Sequence, residues 1–275
     1  MIEWIVSADD PRLDPYRHVA DPHWIRDHGL FVAEGRLVLE RLLALGRFRV
    51  HSIVVNRATH DAMHPLLSAA PATVLACDDP TLESITGYNF HRGCLALVQR
   101  PADLASSAFH GARRLLGIEN IANPDNIGGL FRTASAFAID GVILNATSAD
   151  PLYRKAVRTS MGATLGVPYA RADPWLPALA ALRGQGFTIV ALTPAAGART
   201  LSELAATVTR DDKLLVLVGA EGAGLNAETI AVADVAVRIP IDSAVDSLNV
   251  VVAAGIALHG CFGEAGELAN RGTGE

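Results

Sequence analysis

An unbroken apolar segment followed by a glycine-rich turn constrains the fold of this chain more than any other feature. The segment LLVLVG, residues 214–219, lacks the polar–apolar alternation of a half-exposed strand, so it predicts a strand buried on both faces of a parallel sheet. The sequence GAEGAGL, residues 219–225, follows at once, and its glycines predict a tight turn with room for a ligand against the main chain. Glu221 is the single charged residue inside this turn.

A second strand and an apolar helix complete this C-terminal region. The sequence VRIP predicts a strand that ends at Pro240. We expect Asn226 to cap a short helix after the turn, and Asp246 or Ser247 to cap the last helix. Residues 250–258 of that helix are apolar on nearly every side, which indicates burial in a core or against a second subunit.

The N-terminal two fifths of the chain and the remainder have different organisations. Residues 1–100 alternate predicted strands (LFVAEG, VHSIVV, ATVLAC, CLALVQR) with helical segments, which indicates a small α/β domain. Residues 101–111 are small, polar and begin with proline, as in a linker. Residues 112–275 again alternate strands and helices, and this pattern predicts a parallel sheet with helices on both faces.

The sequence NPDNIGGLFRTA, residues 123–134, follows the first predicted strand of the second domain and opens a helix. We expect Asp125 or Asn126 to cap it. Two adjacent glycines fall in its first turn, where each costs about 1 kcal/mol relative to alanine, so something is expected to approach the backbone closely. Arg132 lies about 200° around the helix from the core-facing Ala134, so it points away from the core and can reach a ligand.

Composition and charge exclude several classes of protein. Half of the 275 residues are hydrophobic, no apolar run approaches the roughly 20 residues that span a bilayer, and the N-terminus has no secretory pattern. Cys77, Cys94 and Cys261 are too few and too scattered for a disulfide framework or a zinc site, so we expect a cytoplasmic protein without a metal. The chain lacks G-x-G-x-x-G, G-x-S-x-G and H-E-x-x-H motifs.

The net charge of -6 argues against a purely electrostatic grip on nucleic acid. Residues 106–172 are nevertheless net positive, with seven basic and four acidic side chains. The basic side chains are nearly all arginine, which suits bidentate contacts with phosphate. Arginine-rich composition is equally compatible with a genomic bias.

Three sequence motifs occur in the order that is typical of the SpoU (TrmH) family. NPDNIGGLFRTA, the Gly-Ala-Glu-Gly turn, and Ile-Pro followed by Ser-Leu-Asn resemble motifs one to three of these RNA ribose 2′-O-methyltransferases of the SPOUT superfamily. FVAEGRLVLERLL and HRGCLALVQ resemble the N-terminal substrate-binding domain of the longer members. Ile241 and Asp246 stand where the third motif commonly has methionine and glutamate, and both departures are conservative.

The resemblance implies a fold and an assembly. The C-terminal domain is expected to be a SPOUT-type parallel sheet whose last segment forms a trefoil knot, and the smaller N-terminal domain a ribosomal-protein-like α/β module. A homodimer is expected through the C-terminal domain, built partly on the last helix. Nothing in the composition or periodicity indicates a knot.

The resemblance also implies a cofactor and an active site. The cofactor is expected to be S-adenosylmethionine, held mainly by main-chain groups at Thr193, Gly219, Ile239 and Leu248. The catalytic positions carried over from the family are Asn126, Arg132, Glu221, Ser247 and Asn249.

The roles of these catalytic positions differ in kind. Asn126 and Glu221 are interpreted as positioning groups, Ser247 as a helix cap beside the cofactor, and Asn249 as part of a hydrogen-bond network. Arg132 either acts as the base or clamps phosphate while water takes the proton. The second role is considered because a guanidinium rarely loses its own proton.

The expected partner is RNA, most of all ribosomal RNA, because the tRNA-specific relatives commonly lack the N-terminal module. Candidate RNA contacts, each of which could instead be a solvated surface residue, are Arg36, His91, Arg92, Arg154 and Arg158. The alternatives are a tRNA ribose methyltransferase and a non-catalytic RNA-binding or ribosome-assembly factor with the same fold. A nucleotide-binding oxidoreductase lacks support because no dinucleotide fingerprint follows any predicted strand.

Overall fold

The computed structural model describes residues 2–86 and 92–263 and confirms an α/β protein with a parallel C-terminal sheet. His91, one of the predicted RNA contacts, lies outside the described residues. The strands are β1 (Ile2–Trp4), β2 (Leu30–Glu34), β3 (Val50–Asn56), β4 (Thr73–Cys77), β5 (Cys94–Gln99), β6 (Arg114–Ile118), β7 (Gly141–Asn145), β8 (Tyr169–Ala172), β9 (Phe187–Leu192), β10 (Arg199–Thr200), β11 (Lys213–Val218) and β12 (Val235–Arg238). The helices are α1 (Pro22–Asp27), α2 (Arg36–Leu45), α3 (Arg57–Ser68), α4 (Asp79–Thr86), α5 (Pro124–Ala136), α6 (Arg154–Thr159), α7 (Ala163–Gly166), α8 (Trp175–Gly184), α9 (Leu201–Ala205), α10 (Ala227–Val232) and α11 (Val250–Phe262). Two 3-10 helices cover Pro11–His18 and Ser106–Phe109.

The chain forms two compact units whose composition differs from the two segments expected from the sequence. The first unit contains the residues up to Ala102 together with Pro151–Gly166, and the second contains the rest. The segment Pro151–Gly166 was assigned to the second domain by its position in the sequence, whereas it packs with the first unit. The expected linker belongs to the second unit, because Phe109 inserts into its core and is only 3% exposed.

The first unit is built on a mixed sheet with the strand order β1-β4-β3-β5-β2. Strand β5 runs antiparallel to both of its neighbours, and the other pairs are parallel. The carboxyl ends of β1, β2, β3 and β4 therefore lie at one edge of the sheet. The core on one face is apolar and includes Leu13, Tyr16, Val54, Leu75, Leu82, Leu95 and Leu97.

The second unit is built on a sheet in which every pairing is parallel, with the order β10-β12-β9-β11-β6-β7-β8. The apolar strand β11 lies between β9 and β6, and its residues Leu215, Val216 and Leu217 are fully buried. The chain proceeds from β6 to β7 and β8 on one side, and then crosses to β9 on the other. Parallel sheets bind ligands at the carboxyl ends of the strands where such a switch in direction occurs.

The structure corrects the predicted helix caps. Helix α5 is capped by Asn123, whose side chain accepts from Asp125 N, and Pro124 takes the first helical position that proline favours. Helix α11 is capped by Asn249, and not by Asp246 or Ser247, because the chain stays irregular as far as Leu248. Asn226 occupies the cap position of α10 without making a side-chain cap bond.

All three cysteines are free and buried, at Cys77, Cys94 and Cys261. Burial raises the pKa of the first two thiols to about 12 and of the third to about 11. Thiols with such pKa values carry little thiolate at neutral pH and react slowly. None of the helices within residues 2–86 and 92–263 has the length and apolar composition needed to cross a membrane.

The close approach expected at the two adjacent glycines of α5 is made by α11. A Cβ atom at Gly129 would lie 2.7 Å from Cγ2 of Val251, which is closer than real carbon contacts allow. Gly255 faces α5 across the same pair of helices, but a Cβ there would lie 3.7 Å from Thr133, at ordinary contact distance. The absence of a side chain at position 129 therefore sets the distance between α5 and α11.

We predict that Gly129→Ala lowers the free energy of unfolding by about 1–3 kcal/mol, because the stiff Val251 side chain cannot move aside without strain. Gly255→Ala is the matched control and should be neutral or stabilising by about 0.5–1 kcal/mol. Urea unfolding measures both changes. Adding Val251→Ala to Gly129→Ala should relieve the clash, so the double variant should lose less free energy of unfolding than the two single variants together. Losses that simply add would contradict this account.

Candidate active site

A pocket of about 340 Å³ opens at the carboxyl edge of the parallel sheet. Four stretches of chain meet there: the ends of β9 and β11 with the residues after them, the residues after β12, and the start of α11. The lining consists of Leu192, Thr193, Pro194, Val218, Gly219, Ala220, Glu221, Gly222, Gly224, Ile239, Ile241, Ser247, Leu248, Asn249, Val250 and Ala253. Most of these side chains are apolar, so a ligand would find few charges and many main-chain groups.

The four residues expected to hold the cofactor, Thr193, Gly219, Ile239 and Leu248, all lie in this lining. Each comes from a different stretch of chain. Leu192, Pro194 and Val250 also line the pocket. They were not expected to hold the cofactor, although each is next to an expected site residue in the sequence.

The turn after β11 closes on itself. Ala220 N donates to Gly224 O at 3.1 Å, and Gly224 N donates to Ala220 O at 2.8 Å. A Cβ at Gly219 would lie 2.2 Å from the carbonyl carbon of Gly224, and Gly222 and Gly224 have φ angles of 82° and 69°. Gly219 is therefore required by the closure of the turn itself, whereas the sequence analysis had attributed its role to room for a ligand.

One amide side chain connects the three sequence motifs. Asn249 Nδ2 donates to Glu221 Oε1 at 2.8 Å and to Asn126 Oδ1 at 3.3 Å, and Asn249 Oδ1 accepts from Val251 N at 2.9 Å. Because the oxygen is used as a helix cap, the orientation of the amide is fixed and both donor contacts come from Nδ2. Asn126 is 8% exposed, so it presents its oxygen from a buried position.

The other two expected catalytic residues are placed differently. Ser247 lies in the pocket lining but does not cap α11, so the expected capping role is wrong. Arg132 is exposed on α5 and does not line the pocket. Within the described part of the chain, no hydrogen bond or ion pair holds its guanidinium in place.

The expected RNA contacts that the structure describes all belong to the first unit. Arg36 Nε donates to Thr59 Oγ1 at 3.1 Å. The carboxylate of Glu34, which is 3% exposed, pairs with Arg154 Nη1 at 2.7 Å and with Arg92 Nε at 3.5 Å. Arg92 keeps 56% of its side chain exposed and Arg154 only 13%, so Arg154 has a structural partner in addition to any contact with RNA.

Arg158 is half-buried on α6, in the segment that packs with the first unit. It therefore joins Arg154 in that unit, although both were expected within the second domain. Among residues 2–86 and 92–263, no group of three or more His, Cys, Asp or Glu side chains could hold a metal ion.

The fold and the pocket define a class of RNA methylases. The model of the SpoU rRNA Methylase family matches residues 113–259, and the chain belongs to this family. Membership confirms the family inferred from the three motifs, the RNA methyltransferase class, and S-adenosylmethionine as the cofactor.

The chain is similar to proteins of the same family along most of its length. An uncharacterized tRNA/rRNA methyltransferase of Mycobacterium tuberculosis is 36% identical and covers 94% of this chain and 91% of its own. A Burkholderia protein named 23S rRNA (guanosine-2′-O-)-methyltransferase is 29% identical over 77% of this chain and 90% of its own. The crystal structure of an AdoMet-bound rRNA methyltransferase from Sinorhizobium meliloti has the same fold, with a TM-score of 0.80, 23% identity, and coverage of 94% and 97%.

Asn249 supports a prediction that separates its two uses. Asparagine and aspartate cap helices equally well, so Asn249→Asp should keep the cap of α11, whereas Asn249→Ala should lose about 1 kcal/mol of stability. Both variants lose the Nδ2 donor, so both should lower kcat/KM for methyl transfer at least about tenfold. Urea unfolding and transfer of labelled methyl to RNA measure the two effects, and an aspartate variant with wild-type activity would show that the donor is dispensable.

Proposed function

We propose that this chain transfers the methyl group of S-adenosylmethionine to a ribose 2′-hydroxyl of ribosomal RNA, as a cytoplasmic enzyme. The observation that carries the proposal is the network in which Asn249 joins Glu221 and Asn126 at the edge of the pocket. The network brings polar residues of all three motifs together, which favours a catalytic role over the binding-factor alternative. The name of the Burkholderia relative, which specifies a guanosine 2′-O position in 23S rRNA, supports both the ribose and the ribosomal RNA.

The pocket suits the methyl donor. Its volume of about 340 Å³ falls within the range of small-molecule sites. Apolar side chains such as Leu192, Ile239 and Leu248 would cover the adenine, and main-chain groups near Thr193 and Gly219 would bind its edge. The bound cofactor supplies a sulfonium-activated methyl group, so the protein has no leaving group to activate.

The residues of the chain then have to align the acceptor and handle its proton. Glu221 and Asn126, both held by Asn249, would orient the ribose for in-line attack. Arg132 would bind the phosphate next to the target ribose; its exposed guanidinium and permanent charge support this role. On this account the hydroxyl proton leaves to water.

The first unit would contribute to binding the RNA. Arg36 and Arg92 lie near one edge of its sheet, and Arg154 and Arg158 belong to the same unit. His91 remains a predicted contact. A tRNA substrate is the second candidate, because the Mycobacterium tuberculosis relative is named for both kinds of RNA.

The expected knot and homodimer are part of the same proposal. Support for the dimer comes from α11, where Val252 is 50% exposed and Ile256 is 39% exposed, one turn apart. Such an apolar pair on the outside of a helix is suited to burial against a second copy of the chain. The knot rests on family membership alone.

The proposed reaction predicts that label from methyl-tritiated S-adenosylmethionine enters ribosomal RNA in alkali-resistant dinucleotides, because a 2′-O-methyl group blocks cleavage of the adjoining linkage. Total RNA would be the acceptor and would be separated afterwards into ribosomal and transfer fractions. Arg132→Ala should lower the rate about a hundredfold or more.

Arg113→Ala is the matched control for the loss of an exposed arginine. Arg113 lies at the amino end of β6, at the opposite edge of the same sheet, where it pairs with Asp211 at 2.7 Å. Its removal should leave the rate within about twofold. Alkali-labile label would refute ribose methylation, and label confined to transfer RNA would refute the ribosomal substrate. Cofactor binding without transfer to either fraction would favour the binding-factor alternative.

The proposed dimer predicts that Val252→Glu with Ile256→Glu gives monomers, because two charges would be buried in the interface. Sedimentation at micromolar concentration measures the mass. Leu104→Glu is the control, since Leu104 is 43% exposed in the same unit but far from α11 in the sequence. A wild-type monomer, or a dimer that survives both glutamates, would show that this face does not pair.

A further inference from the structure

A buried carboxylate lies beside the pocket without touching it. Glu119 follows β6 directly, is 1% exposed, and does not belong to the pocket lining. Its main chain is fixed to the neighbouring strand, because Glu119 N donates to Val218 O at 2.9 Å. A carboxylate so thoroughly removed from water requires donors from the protein.

Among the residues that the structure describes, the donors to this carboxylate come from the start of α10. Glu119 Oε2 accepts from Asn226 N at 3.0 Å, and Oε1 accepts from Asn226 Nδ2 at 3.1 Å and from Thr229 Oγ1 at 2.7 Å. The side chain of Asn226 makes no cap bond to α10 and donates to Glu119. One side chain therefore attaches the beginning of α10 to the end of β6.

The pocket turn is the stretch of chain between these two attachments. It leaves the sheet at Val218 and ends at Asn226, and five of its residues line the pocket. Gly222 and Gly224 adopt positive φ, and no atom beyond the local chain lies within 4 Å of a Cβ built on either. The turn is therefore held by its own two hydrogen bonds, by the hydrogen bond from Asn249 to Glu221, and by its ends, of which the second includes the buried Leu225.

We infer that Glu119 is a positioning residue that sets the affinity for the methyl donor by fixing the far end of the pocket turn. The inference rests on the proposed function, which places the methyl donor in this pocket. A turn that is already ordered before binding costs less conformational entropy when the ligand binds. Glu221, in the middle of the same turn, is held separately by Asn249, whose Nδ2 donates to its Oε1.

The test compares Glu119→Ala and Glu119→Gln with the wild-type protein, with S-adenosylmethionine alone as the titrant in calorimetry. Loss of the charged acceptor should raise Kd about tenfold to a hundredfold in the alanine variant. The glutamine variant keeps the length and one acceptor oxygen, so it should recover part of the affinity. KM for S-adenosylmethionine should rise in parallel, while kcat at saturation changes by less than about threefold.

Hydrogen exchange of the free protein supplies a readout that needs no ligand. The amides of residues 219–226 should exchange faster in both Glu119 variants, while the amides of β11 remain protected. Asp234→Asn is the matched control, because Asp234 lies just beyond the other end of α10. Asp234 accepts from Ile189 N at 2.8 Å and pairs with Arg183 at 2.9 Å. Its removal should destabilise the unit without altering Kd or exchange in the turn.

A double-mutant cycle tests whether Glu119 acts through α10. Thr229→Val removes one donor at constant shape, and it should weaken binding in the wild-type background but not in Glu119→Ala. Unchanged affinity and exchange in folded Glu119 variants would overturn the inference, as would an equal loss of affinity in Asp234→Asn. A wild-type protein that binds no S-adenosylmethionine would refute the proposed cofactor site, and in that case turn exchange alone would show whether Glu119 fixes the turn.

Discussion

The parallel pairing of β11 with β6 is the interaction on which the rest of the second unit depends. Val218 lies opposite Ile118 at the end of the register, so the two strands finish level with one another. The segments of chain that directly follow β6 and β11 therefore begin at the same edge of the sheet. The pocket turn comes from one strand, and the loop that leads to α5 and Asn126 comes from the other. A slip of one residue in this pairing would misalign both segments at once and would exchange the side chains that β11 packs on its two buried faces.

The polar groups at this edge are few, and each has more than one partner. Asn249 ends the irregular segment after β12, begins α11 and binds residues of the two other motifs. Glu119 connects the loop after β6 with the helix after the turn. Asn249 is itself part of the pocket lining, whereas Glu119 is buried outside it.

Sequence patterns predicted what depends on strand order and local periodicity. The buried strand β11 and its turn could be identified from the apolar run and its glycines, and the residues expected to line the pocket from the resemblance to the SpoU family. Contacts made over long distances could not be predicted. The capping residue of α11 was misassigned because Asp246 and Ser247 are equally good caps in isolation, and only the path of the chain to Leu248 excludes them. The burial of Phe109 was hidden by the linker-like residues around it, and Glu119 resembled an ordinary polar residue at the end of a strand.

The segment Pro151–Gly166 has a consequence for how such a chain can evolve. It leaves the second unit after β7, contributes α6 and α7 to the first, and returns to form β8. Its residues Ala156, Val157 and Leu165 are completely buried there. The N-terminal residues are therefore not a detachable module. A chain that lost them would keep α6 and α7, whose apolar side chains would then have no unit to pack against. Gain or loss of this unit would have required a simultaneous change in the middle of the methylase sequence.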